Sequence, residues 1–184
     1  MRTRPINPAT LWSSDGIHRQ GSLDGLCGIY CAINSISLQL GDKIESADLF
    51  KVVIRTIGRR LPPIILGGML GDELERNVLE PCKAYLATKG FAFTYKKASA
   101  KSLDQYWSLM IKHFEKHGEG SILLSISGSY EHWTCLRHIS SKCIILADSG
   151  TLDRLYRARV TIKEPTKSRI HGLLPSETYL LSIK

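Results

Sequence analysis

Apolar positions set the first prediction. Up to residue 25 the chain is polar and rich in Ser, Gly and Asp, and it reads as loop. From there Leu26, Ile29, Tyr30, Ile33 and Ile36 recur at helical spacing as far as Gly41, which predicts a buried helix beginning near Cys27. Leu49, Val52, Val53 and Ile57 predict a second helix over 46–57. Pro62-Pro63 and Gly67-Gly68 punctuate residues 58–71, which read as loop. A helical pattern over 72–89 contains Pro81, where it should split or kink, and Gly90 is a natural stop. Residues 91–96 alternate as a strand does. Ser102-Leu103-Asp104-Gln105 has the form of a capping box opening a helix that ends near Gly118.

Beyond Gly118 the period changes from helical to alternating. Strands are predicted over 121–127, 131–139, 142–148, 155–162 and 178–183. Helices first and mostly antiparallel strands afterwards make an α+β pattern, with helices and sheet sharing one core. The 184 residues fit one domain, 1–184.

Composition adds constraints rather than a function. With 43% hydrophobic and 23% charged residues the chain has an ordinary globular balance. No apolar run reaches the roughly 20 residues of a membrane span. Met1-Arg2-Thr3-Arg4-Pro5 is followed by no apolar stretch, so no secretory signal is read there and a cytoplasmic location is expected, unless a signal-independent machine exports the protein. The five cysteines are odd in number and irregular in spacing, which argues for free thiols rather than a disulfide scaffold. The formal charge is +8, but the basic residues are scattered and do not interleave with aromatics, so nucleic acid is not the expected partner.

Two segments carry candidate chemistry. In Asp24-Gly25-Leu26-Cys27-Gly28 a polar loop runs straight into a helix. The first N–H groups of a helix are unpaired and carry partial positive charge, which favours a thiolate and can hold an oxyanion. Gly25 and Gly28 would let a substrate backbone come close, lining a cleft. Taken alone, Cys27 reads equally well as a small core residue. The second segment, Glu131-His132-Trp133-Thr134-Cys135, leads through a turn at Ser140-Ser141 to Ala147-Asp148-Ser149. A hairpin centred on Ser140 puts His132 directly opposite Asp148, where a carboxylate can fix the imidazole tautomer and support the imidazolium. Trp133 either walls the cleft or belongs to the core. His18, His113, His117, His138 and His171 have surface or partnerless settings in the sequence.

The segment from Gln20 to Ile36, with Gly25-Leu26-Cys27-Gly28 opening an apolar helix, resembles the nucleophile region of papain-like cysteine peptidases. Among these it is most similar to the bacterial branch of leader-processing peptidases of bacteriocin exporters. His132-Trp133-Thr134 and Ala147-Asp148-Ser149 resemble that branch's histidine and aspartate strands, in the same chain order. The resemblance covers these two short blocks. It implies a papain-like α+β fold, a helical half packed on a C-terminal antiparallel sheet. It also implies a thiol hydrolase in which Cys27 is the nucleophile, His132 the base, Asp148 the orienting residue and Gln20 a side-chain donor of the oxyanion hole. The expected substrate is a protein or peptide, with the tail of a ubiquitin-like modifier or a leader peptide as special cases, and no cofactor or metal is expected. The same chemistry also serves an amidase, a deamidase or a transglutaminase of the secreted-effector kind. Two other classes remain at this point: a three-cysteine, one-histidine zinc site built from Cys27, Cys31, His132 and Cys135, and a non-catalytic binding module.

Overall fold

A computed structural model describes residues 16–20, 25–128 and 131–184 of the chain. The expected loop at the N-terminus therefore lies largely outside the described residues.

The helical half comes first, as its spacing predicts. Helix α1 spans Cys27–Leu40 and helix α2 spans Ser46–Ile57. Residues 58–71 are not the loop expected of them. A 3-10 turn over Gly58–Arg60 leads into helix α3, Leu61–Gly67, which carries Pro62 and Pro63 in its first turn. Proline is compatible with helix there, because the first N–H groups have no helical partner to lose. The segment around Pro81 is divided, as its proline requires. Helix α4 (Gly71–Leu74) passes into a π-helical turn, Glu75–Leu79, before helix α5, Glu80–Thr88, opens with Pro81 in its first turn. Helix α6, Leu103–His117, starts at Ser102, whose hydroxyl accepts from the Gln105 N–H, and stops at Gly118, which has φ of +77°.

The remaining elements are strands: β1 (Phe93–Lys97), β2 (Ile122–Gly128), β3 (His132–Ile139), β4 (Cys143–Ala147), β5 (Arg154–Tyr156), β6 (Val160–Thr161), β7 (His171–Leu173) and β8 (Tyr179–Ile183). They form one sheet in the order β1-β8-β2-β3-β4-β5, with β7 joined to β2 and β6. All pairs are antiparallel except β6 with β7. The single strand expected over 155–162 is broken into β5 and β6 by a 3-10 turn at Arg157–Arg159. Strand β7 was not legible in the sequence pattern. The α+β class holds.

Alternation sorts the sheet residues into two cores. Leu123, Trp133, Cys135, Ala147 and Leu181 go under α1, α2 and α5, beside Ile29, Ile33, Leu49, Val53 and Leu86. Their chain neighbours Ile122, Leu124, Leu136, Leu146 and Leu180 go to the other face, beside Trp107 and Met110 of α6. Each such aliphatic side chain, fully buried, contributes roughly 1.5–3 kcal/mol. Helix α1 lies against β3, so its first turn ends near the start of that strand. Among the described residues no helix is long and apolar enough to cross a membrane.

Candidate active site

The site begins with the start of α1. Leu26 is the N-cap and contributes no side-chain cap, and the first turn holds no acidic residue. Cys27 is thus the first helical residue, with the helix dipole unopposed by a local carboxylate. It is buried, keeping 8% of its surface. Gly25 and Gly28 on either side serve the protein's own packing. The Gly25 N–H donates to the Ile65 carbonyl at 2.7 Å, and a Cβ on Gly25 would lie 2.8 Å from the Gly68 nitrogen. A Cβ on Gly28 would meet Leu74 at 3.1 Å and then Trp133. The room expected for a substrate backbone at these glycines is filled by α3 and its following loop and by core side chains.

His132 opens β3 and is acted on from two sides. Its Nε2 lies 2.6 Å from Asp148 Oδ1. The ionised carboxylate only accepts, so Nε2 carries the proton and Nδ1 is the nitrogen left for sulfur. The Cys27 side chain lies near enough to the ring to act on it electrostatically. Both side chains of the His132–Asp148 pair are almost completely buried, at 3% and 2% exposure. Burial alone would lower the His132 pKa, but the bond to Asp148 and the influence of Cys27 outweigh it and push the pKa up to about 9. Burial would raise the Asp148 carboxyl, yet the hydrogen bond and charge of His132 hold it below the usual carboxylate range. The other oxygen, Oδ2, accepts from the backbone N–H groups of Gly150 at 2.9 Å and Leu152 at 3.1 Å.

The hairpin that joins these residues differs from the expected one. A turn centred on Ser140 would pair Cys135 with Ile145, whereas Cys135 pairs with Ala147. The ladder is displaced by two residues, so His132 and Asp148 are not directly opposed. A displacement of two preserves the face, and the contact survives as a diagonal one. Near the tip His138 pairs with Ile145, and between Leu136 and His138 one extra residue, Arg137, is bulged out. Without that bulge the tip register would set Asp148 opposite Cys135, on the face that His132 does not share.

A short strap over residues 16–20 clamps the carboxylate turn. Arg19 Nη1 donates to the carbonyl oxygens of Asp148 at 2.7 Å and Gly150 at 3.1 Å. The Gln20 N–H donates to the Ser149 carbonyl at 3.0 Å, and the Ser149 hydroxyl donates to Gln20 Oε1, also at 3.0 Å. Gln20 therefore sits beside the His132–Asp148 pair, with its carbonyl end taken by Ser149. The strap is tied to α1 as well: the buried Asn34 accepts from the His18 N–H at 2.8 Å and donates to the His18 carbonyl at 3.0 Å. His18 is accordingly half-buried rather than a surface residue. Arg19 and Asn34 are neighbours of the site that sequence reasoning missed, and the contact of Ser149 with Gln20 was not foreseen either. Each acts on a residue far away in the chain, and nothing in its local pattern marks it.

The remaining candidates are core residues. Trp133 is buried, donates from Nε1 to the Met69 carbonyl at 2.8 Å and packs near Tyr179. Cys31 is fully buried one turn below Cys27, near Cys135, whose thiol donates to the Ala147 carbonyl at 3.3 Å. Burial pushes the Cys31 thiol well up. All five cysteines are free thiols. Among the described residues no group of three or more His, Cys, Asp or Glu side chains is arranged to hold a metal ion.

No protein-family model matches the sequence, and no curated protein matches it.

Proposed function

We propose that the protein is a papain-like thiol hydrolase, a cysteine peptidase or isopeptidase that works through a thioester on Cys27. The observation that carries this reading is an imidazole hydrogen-bonded to a buried carboxylate and close enough to a helix-start thiol to feel it electrostatically. The order helical half then antiparallel sheet, and the resemblance of the Cys27 and His132 blocks, support the same assignment.

In this scheme His132 Nδ1 takes the thiol proton, and the thiolate attacks the carbonyl carbon of an amide. The first N–H groups of α1 and the Gln20 side-chain amide hold the oxyanion. His132 then gives its proton to the departing amine. A water attacks the thioester, His132 accepts its proton, and the acid product leaves with Cys27 restored. Asp148 keeps Nε2 protonated throughout, which leaves Nδ1 to face sulfur. The substrate is a protein or peptide, met in the reducing cytoplasm, where the thiols persist.

The test is digestion of a peptide library, read by mass spectrometry, with Cys27→Ala and His132→Ala proteins run in parallel. Cleavage that both variants lose by a factor on the order of 10³ or more supports the scheme. Full activity in either variant overturns it.

A further inference from the structure

Thr134 is a buried polar side chain to which the mechanism gives no part. It is 1% exposed, and its hydroxyl oxygen has no hydrogen-bond partner among the described residues. A hydroxyl enclosed without a partner weakens a fold relative to an apolar side chain of the same shape, here valine. Such a group in a core therefore needs a reason to be there.

The sheet register supplies one. Strands β3 and β4 pair Cys135 with Ala147 and Leu136 with Leu146. One step further in the same register sets Thr134 directly opposite Asp148, and directly opposed residues share a face with Cβ atoms roughly 5 Å apart. His132, two residues earlier, reaches the same carboxylate diagonally. On its other side Thr134 is paired with Leu124 of β2, which is buried and apolar. Of the two ladder neighbours, Asp148 is the polar one. A carboxylate offers about four acceptor positions. Oδ2 accepts from the Gly150 and Leu152 N–H groups and Oδ1 from His132 Nε2, so a position on Oδ1 remains. Burial would raise the Asp148 carboxyl, and Thr134 is, after His132, among the groups that hold it down.

We propose that Thr134 is a positioning residue for Asp148: its hydroxyl turns to donate to Oδ1 and, together with His132 Nε2, fixes the direction in which that oxygen points. The role rests on the hydrolase reading, in which Asp148 holds the imidazole with Nδ1 towards sulfur. A hydroxyl turns by a change of rotamer, so the bond forms without disturbing the ladder. The acceptor is ionised and has no proton to give, so Thr134 is the donor and the bond is charge-assisted.

Urea titration of the wild type, Thr134→Val, Asp148→Ala and the double variant measures the coupling of the two side chains. Thr134→Val should lower the folding constant by about tenfold in the wild-type background, and by less than about twofold where Asp148 is already alanine. A Thr134→Val protein that folds as well as the wild type or better, or one that loses equally in both backgrounds, overturns the proposal. This cycle needs no turnover and no reactive thiol, so it stands apart from the fate of the hydrolase reading. The second readout is the pH profile of Cys27 alkylation by iodoacetamide, which decides alone if Asp148→Ala does not fold. A looser Asp148 supports the imidazolium less, so Thr134→Val should slow Cys27 at pH 7 by about tenfold and displace the profile to higher pH. Thr134→Ser, which keeps the hydroxyl and gives up a methyl group, should restore the wild-type profile. A valine profile that coincides with the wild type, or a serine variant that behaves as valine does, overturns the role of Thr134. A Cys27 that does not react even in the wild type counts against the hydrolase reading, and the folding cycle then decides whether Thr134 holds Asp148.

Discussion

Arg19 donates through Nη1 to the main-chain oxygen of Asp148 at 2.7 Å, so the residue that orients His132 is itself held from behind by the strap. Because the same nitrogen also reaches Gly150, one side chain fixes both ends of the turn that carries the carboxylate. Arg19→Ala should leave the fold intact, since the side chain is exposed, but let the turn drift. On the proposed mechanism kcat falls roughly tenfold to a hundredfold with KM little changed, as small misplacements of a catalytic group do. Arg19→Lys should restore part of it. The pH profile of Cys27 alkylation should shift in Arg19→Ala, which a merely structural loss would not produce.

Asp148→Asn is not a neutral replacement at this site. Both oxygens of Asp148 receive donors: His132 Nε2 at Oδ1, and the Gly150 and Leu152 N–H groups at Oδ2. An amide NH₂ must therefore face either the imidazole or the two backbone N–H groups. The first choice moves the ring proton to the nitrogen facing sulfur; the second leaves donors against donors. The expected loss of stability is about 1–3 kcal/mol by denaturant titration. Hydrolysis should fall by a factor on the order of 10³ or more if the wrong tautomer results.

Much of this was legible because each residue involved sits in a local pattern. The apolar spacing after Leu26 marks α1, and with it the place of Cys27 at the start of a helix. Alternation in 132–139 marks β3 and the position of His132. The register was not legible, because Leu136-Arg137-His138 contains no glycine or proline to announce a bulge. The diagonal contact of His132 with Asp148 emerged all the same, since a two-residue displacement returns each side chain to its own face. Pro62-Pro63 misled for a different reason: prolines that end a helix from inside can equally begin one. The strap was invisible because Arg19 and Asp148 stand 129 residues apart, and no periodicity reports a contact of that range.

Stability should depend on pH through the same pair. The His132 pKa is raised to about 9 in the folded protein, above the roughly 6.5 of an unfolded histidine. The folded state therefore holds a proton that the unfolded state releases between these values. The stabilisation is complete below about pH 6.5 and is lost as pH rises towards 9 and beyond. Asp148 works in the opposite sense: its pKa is depressed, so its contribution is present above about pH 4 and is lost as pH falls through the folded value. Thermal melts from pH 4 to 10 should show wild-type protein losing more Tm between pH 7 and 10 than His132→Gln does. Equal slopes for the two proteins would contradict the assignment.

Thiol reactivity separates Cys27 from the other cysteines. Cys31, Cys82 and Cys135 are completely enclosed; burial lifts the Cys82 thiol to about 12 and raises Cys31 strongly. Cys143 is only partly buried, but it lies by the Ser140 turn and far along the hairpin from His132. With iodoacetamide at pH 7, peptide mapping should find Cys27 and Cys143 modified first, and the three enclosed thiols only after unfolding. His132→Ala should slow Cys27 by at least about tenfold and leave Cys143 as it was, because Cys27 is the cysteine whose side chain acts on the imidazole. If Cys27 resists alkylation until the protein unfolds, its 8% exposure is not an entrance, and no substrate carbonyl could reach the sulfur. If His132→Ala leaves the rate at Cys27 unchanged, the imidazole does not activate the thiol, whatever the geometry between them.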